Sequence, residues 1–322
     1  MSTEYIHFTA AQKEAARQTD LVALLHSQGE HLKRSGKEYV WRDGSEKVTV
    51  RGNLWFHQYE RIGGDAVDFV RRFYNMDFPQ AVNFLLGNNG GALPQAEPVK
   101  REPPKPFTLP PKNDNMRRVY AYLLNRRGID REVLSAFVHK GMIYESADYH
   151  NAVFVGYDEH SIARHAHKRG TGSESTYKGN AESCDPRYSF HWTGTDNTLY
   201  LFEAPIDMLS FISLHKENWR SHSYAAACCV GDQVLFQMLK TNPNIDTVCL
   251  CMDNDTAGQA ANKRISDKLF IQGIKHEILV PEFKDWNEDR LAAGGNAPHI
   301  RAEFSSPQEE SEEDEVCQTL QL

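Results

Sequence analysis

Five acidic residues in the C-terminal half of the chain stand just past apolar runs, where carboxylates can do chemistry. Glu203 closes TLYLFE, and Asp207 follows it by four positions. Asp253 and Asp255 flank Asn254 at the end of TVCLCMDND, directly ahead of Thr256, Ala257 and Gly258. Asp285 follows HEILVPE, within FKDWN. Apolar runs of this kind, separated by helical stretches, are strands of a parallel sheet, and residues beyond their carboxyl ends line one crevice. Carboxylates gathered at one sheet edge repel strongly unless divalent cations neutralise them. Magnesium, with manganese as its substitute, fits such a set, because its octahedral shell takes one or two protein carboxylates, several waters and substrate phosphates. The chemistry implied is metal-assisted transfer or hydrolysis at phosphorus. Each acid alone has a structural explanation: Asp255 as a helix cap, Asp207 at the positive start of a helix, Gly258 as a close-packing position. The three acidic elements together point to a metal site.

The elements that must position these acids alternate from Thr198 onward: TLYLFEA, IDMLSFISLHK, SYAAACCV, QVLFQMLKT, TVCLCMD, AGQAANKRISDKLFIQ and HEILVPE. Strand and helix in turn make parallel βαβ units. Upstream, MRRVYAYLLNRRG and REVLSAFVHKG have helical spacing, and NAVFVGYD and IARHAHKR read as strands joined at DEHS. Half of the 14 prolines lie between Pro94 and Pro111 in a stretch without period, which predicts a semi-extended linker. Residues 19–87 hold a helix (DLVALLHSQG), strands (EYVWRD, KVTVRG, LWFHQ) and a helix pair, a small α+β module. The class is therefore multidomain α/β and α+β. The divisions predicted are a module over 1–90, a linker over 91–112, an α+β domain over 113–196, an α/β domain over 197–304 and an acidic, disordered tail over 305–322.

Bulk properties narrow the function classes. A chain of 322 residues exceeds the usual size of one core. No apolar run is long enough to span a bilayer, and the N-terminus lacks the pattern of a secretory or transit leader, so a cytoplasmic protein is expected. The six cysteines form no CxxC pair and read as reduced, buried thiols. The net charge is −8, but Glu309, Glu310, Glu312, Glu313, Asp314 and Glu315 contribute −6 of it, so the near-neutral body neither requires nor excludes nucleic acid.

LYLFEAPIDMLSF and CLCMDNDTAGQAA resemble the first and second acidic segments of Toprim domains, and EFKDWNEDRL is similar to the third acidic element of DnaG-type bacterial primases. The resemblance implies that Glu203, Asp207, Asp253, Asp255 and Asp285 hold divalent ions, with Glu203, Asp253 and Asp255 catalytic. One departure is visible: Asn287 stands where these primases commonly carry a further Asp, which weakens one metal position. NRRGIDREVLSAF, the strand pair around HSIARHAHKRGT, and TYKGNAESCD resemble the helices, strands and substrate loop of the primase core. Positions 117–190 also resemble an uncharacterised domain that accompanies Toprim in proteins of bacterial conjugative elements. Lys168, Arg169 and Lys178, supported by Arg164, are then the expected phosphate contacts.

The N-terminal module is similar to the primase zinc-binding domain, but Glu38, Trp41, His57 and Glu60 occupy the ligand positions, so no structural zinc is expected. A role in touching single-stranded template would fall to Arg42, Arg51, Trp55 and Arg61, since aromatic rings stack on bases and cations follow the backbone. The resemblance implies a primase, a DNA-directed RNA polymerase of a mobile genetic element, with single-stranded DNA and nucleoside triphosphates as partners. No helicase-binding unit is expected after residue 304, so a helicase or relaxase would come from another chain. Two alternatives stay open: a Toprim nuclease using the same ions on water, and a catalytically reduced DNA-binding accessory protein. The pair His165 and His167 also resembles the His-hydrophobe-His motif of relaxases, over three residues only.

Overall fold

Side-chain caps set most helix starts in the chain. Asp65 and Asp77 each close a capping box, and Asp130, Asp255 and Asp285 accept from backbone N–H groups of the first turn that follows them. The structure, a computed structural model, describes residues 8–43, 46–57, 60, 62–87, 94–96, 105–228, 231–294 and 301–303. Arg61, residues 97–104 of the proline-rich stretch and the acidic tail lie outside the described residues. The architecture is multidomain α/β and α+β, with three sheets.

The first unit comprises α1 (Ala10–Arg17), α2 (Leu21–Ser27), β1 (Lys33–Ser35), β2 (Glu38–Asp43), β3 (Glu46–Arg51), β4 (Leu54–His57), β5 (Gly63–Gly64), α3 (Ala66–Phe73) and α4 (Phe78–Leu85). Its five strands form an antiparallel meander in sequence order, with the helices on one face. Strand alternation sends Trp41, Val48, Val50, Trp55 and His57 inward and leaves Arg42 and Arg51 exposed. Trp55 is therefore a core residue and not a stacking platform: its ring lies edge-on to Phe69 and Phe73. The same cluster takes Trp41, 5.3 Å from Phe69 and 5.2 Å from Phe73. Of the positions aligned with zinc ligands, Trp41 donates through Nε1 to Glu30, Glu60 pairs with Arg72 at 2.8 Å, and His57 accepts from the Glu60 N–H. Aromatic packing, hydrogen bonds and an ion pair thus engage three of these four positions.

The second unit comprises α5 (Arg117–Tyr120), a wide π-turn over Ala121–Arg126, α6 (Arg131–His139) and the antiparallel sheet β6 (Ile143–Glu145), β7 (Ala152–Tyr157), β8 (Ala163–Arg169) and β9 (Lys178–Asn180). Lys178–Asn180, expected as a loop, joins the sheet because its backbone pairs with His167–Arg169. The proline-rich stretch is no free linker over its described second half. Phe107 and Leu109 pack on Tyr144, Val153, Val155, Ala166 and Ala181, while Tyr144 Oη donates to Pro110 O and the Ala147 N–H to Pro111 O. Residues 105–112 are a strap across the outer face of the sheet. Lacking N–H groups to offer, its prolines leave the segment extended and held by its carbonyls.

The third unit comprises β10 (His191–Trp192), β11 (Thr198–Phe202), α7 (Pro205–Leu214), β12 (Ser223–Ala226), α8 (Gln233–Thr241), β13 (Thr247–Cys251), α9 (Thr256–Ile271), β14 (Lys275–Val280), α10 (Trp286–Ala292) and β15 (Arg301–Glu303). The strand order is β10-β12-β11-β13-β14-β15, parallel at its centre with an antiparallel strand at each edge. Strand β10, from the stretch assigned by sequence to the middle domain, pairs with β12. Leu199, Leu201, Val248 and Leu250 pack under α8 and α9, whereas Phe202, Cys249 and Cys251 face α7 and α10. The second core continues into the middle unit: Phe137, Phe190, Trp192 and Trp219 meet in one aromatic group, with Trp192 and Trp219 at 4.8 Å. No described helix is long and apolar enough to cross a membrane.

Candidate metal and nucleotide site

Strand β11 is followed in sequence by β12 on one side, while β13 lies on its other side. The gap between the carboxyl ends of β11 and β13 is thus the topological switch point of the sheet, where open α/β folds bind ligands. Phe202 pairs with Cys251 across these strands, so Glu203 and, one position further along, Asp253 leave neighbouring strand ends. A cavity of about 210 Å³ opens there, lined by the acids Glu203, Asp207, Asp253 and Asp285 and by the bases Arg127, Arg169, Lys178 and Lys284.

Each acid is held differently. Asp207, in the first turn of α7, is buried and accepts from the Asn287 N–H. Burial and the neighbouring carboxylates of Asp253, Asp285 and Glu203 raise its pKa far above the ordinary value. Desolvation, then the charges of Glu203, Asp285 and Asp255, push Asp253 up to about 7, and Lys178 opposes them. Glu203 is raised chiefly by burial. Asp253 Oδ1 is buried with no hydrogen-bond partner. Among the described residues no three His, Cys, Asp or Glu side chains converge to hold an ion by themselves. The reason is local, since Asp255 Oδ1 caps α9 through the Ala257 and Gly258 N–H groups at 3.0 and 2.9 Å, and Asp285 Oδ1 caps α10 through the Glu288 N–H. An orphaned buried carboxylate oxygen amid like charges still fits a divalent cation, provided waters and substrate phosphates complete its shell.

Asn287 also lines the cavity, and its amide is fully used. Its Nδ2 donates to Arg127 O at 2.8 Å and Ser210 Oγ at 2.9 Å, and its Oδ1 accepts from Arg127 Nη1 at 2.9 Å. An aspartate would lack that donor; asparagine ties the π-turn to α7 and α10.

The basic residues expected from sequence separate by strand parity. Arg169 pairs with Lys178 across β8 and β9, and both enter the acid cavity. Lys168 points to the opposite face, into a second groove, and Arg164 is engaged with Asp158 at 2.7 Å outside the cavity. Arg127, His167 and Lys284 line the cavity without having been singled out as its members. The NRRG segment carried the signal for Arg127; His167 reaches the third unit through Asn180, whose Nδ2 donates to Cys228 O at 2.9 Å. Burial lowers the His167 pKa to about 4, so the ring is neutral, with Nδ1 2.7 Å from Asn180 Oδ1.

Comparison with known proteins agrees with this layout. Residues 121–196 match the family described as a protein of unknown function (DUF3991), and residues 200–290 match the Toprim-like family. The chain is 24% identical over 311 residues to an uncharacterized protein of Bacillus anthracis, covering 88% of this chain and 89% of the relative. Among solved structures it is similar to the Aquifex aeolicus primase zinc-binding and RNA polymerase domains, with 16% identity, a TM-score of 0.38, and 89% and 83% of the two chains covered. It is also similar to the primase fragment of the bacteriophage T7 primase-helicase, with 18% identity, a TM-score of 0.44, and 61% and 81% covered. The switch-point acids, with the family match over the sheet that carries them, make the C-terminal unit a Toprim-like domain.

Proposed function

We propose that the chain is a primase-type nucleotidyltransferase that extends primers on single-stranded DNA with nucleoside triphosphates in the presence of magnesium or manganese. The observation that carries this reading is the pairing of acidic with basic side chains in one cavity at the switch point. Asp253, with Glu203 or Asp285, would hold the metal, which supplies charge neutralisation at the triphosphate and acidifies the attacking hydroxyl. Arg169, Lys178, Lys284 and Arg127 hold the triphosphate oxygens, as phosphoryl transfer depends on positioning and charge stabilisation. Glu203, with its raised pKa, is placed to take the proton of that hydroxyl. His167, neutral, orients Asn180 and carries no charge to the substrate.

The test is primer synthesis on single-stranded DNA with labelled nucleotides, beside a nuclease assay on the same substrate. Wild type is expected to make primers, and Lys178→Ala or Arg169→Ala to raise the KM for nucleotide about tenfold or more, as for a lost charge-assisted bond. Metal-dependent cutting without synthesis would replace this reading by the nuclease one, and neither activity by the accessory one. Because aromatic packing fills the zinc-ligand positions, elemental analysis of purified protein is expected to find no stoichiometric zinc. One zinc per chain would refute that expectation.

A further inference from the structure

The four-stranded sheet has a second face, and on it lies an open groove of about 540 Å³ that the acid site does not use. Its walls are the strap at Pro110, the turn between β6 and β7 with Tyr149, the end of β8 with Lys168, and Tyr177 just before β9. Both tyrosines show their rings to water, Tyr149 at 88% exposure and Tyr177 at 47%. Tyr149 and His150 also hold left-handed backbone, with φ of 60° and 52°. Non-glycine residues rarely adopt that region, and here the surroundings enforce it. His150 Nδ1 sits 2.6 Å from buried Glu145, and Thr171 Oγ1 donates to His150 O at 2.8 Å. The backbone that carries Tyr149 is therefore held in place by its neighbours.

Charge in the groove favours an anion: Arg118 and Lys168 stand against the single carboxylate of Asp148. Lys168 Nζ lies 5.7 Å from the Tyr177 ring centroid, so cation and ring form one surface. The groove also adjoins the acid cavity through the chain itself. Lys168 enters one and Arg169 the other, and Arg126 Nη1 braces Gly172 O beside the groove while Arg127 lines the acid cavity.

We propose that this groove is a stacking subsite for unpaired nucleotides of a nucleic-acid strand, with base faces on Tyr149 and Tyr177 and phosphates on Lys168 and Arg118. Exposed rings interleaved with cations in an open channel are the chemistry that holds single strands without reading their sequence. The subsite rests on the proposed function only for the purpose of the strand; the binding stands by itself.

The experiment measures anisotropy of a labelled mixed-sequence single-stranded oligonucleotide with the full chain in EDTA, so that no ion bridges phosphate to the acids. Tyr149→Ala with Tyr177→Ala is expected to weaken binding about tenfold or more, the scale of lost base stacking. The Tyr→Phe pair should keep wild-type affinity. An oligonucleotide of equal length carrying abasic sites should bind wild type weakly and the alanine pair equally weakly. Lys168→Gln should reduce the salt dependence of binding. Unchanged affinity of the alanine pair, or equal binding of abasic and normal strands by wild type, overturns the proposal. Asp253→Asn, measured alongside, should bind as wild type does; a chain that binds in this pattern but makes no primers keeps the subsite and loses only the catalytic reading.

Discussion

In metal-free buffer at pH 8, Asp253→Asn is expected to melt higher than wild type, and magnesium is expected to raise the melting temperature of wild type but not of the variant. Asp253 has its pKa pushed from an ordinary 3.8 up to about 7. The folded protein therefore holds that proton more tightly than the unfolded chain does. Between about pH 4 and 7 the folded state binds more protons, so stability falls as pH rises and the contribution is gone above about 7. Asparagine carries no such charge, and the variant should show a flatter melting profile across that window. A cation bound only by the folded state stabilises by mass action, about 2.7 kcal/mol at a hundredfold excess over its Kd. Calorimetry at pH 5 and 8, with and without magnesium, checks each arm. Equal magnesium response in both proteins would remove Asp253 from the metal site.

The opposite change in stability is expected from adding one methyl group at Gly258. A Cβ there would lie 2.0 Å from Asp253 O and 2.8 Å from Asp253 C, closer than any backbone atom permits. The neighbour is the main chain of Asp253, so no side chain can rotate away. Either the first turn of α9 or the Asp253–Asp255 turn must move. Overpacking of this kind costs about 1–3 kcal/mol. Gly258→Ala should therefore lower the melting temperature by several degrees and, unlike a distant destabilising change, abolish both primer synthesis and the magnesium response. Retention of the full magnesium shift would show that the turn tolerates the displacement.

The acid positions were legible because they follow from pattern alone. Short apolar runs ending in Glu203, Asp253 and, after β14, Asp285 must be strands covered on both faces, and strand ends are where such sheets bind. Strand parity was equally available for Lys168 and Arg169, since neighbours on a strand face opposite ways, and reading them as one patch overlooked it. Trp55 was harder: LWFH is apolar or aromatic throughout, so its phase is hidden until β4 is paired with β3. The strap over residues 105–112 has no period, and only its landing on Val153 and Val155 gives it a place. The cavity position of His167 depends on how two units dock, which no local pattern encodes.

The bond network between Arg127 and Asn287 joins positions 160 residues apart. During synthesis the N-terminal part emerges first, and contacts of long sequence separation form late. Arg127, Arg169 and Lys178 leave the ribosome before Glu203, Asp253 and Asp285, so Arg127 lacks its Asn287 partner until α10 has been made. The site is therefore complete only once α10 has packed against the middle unit.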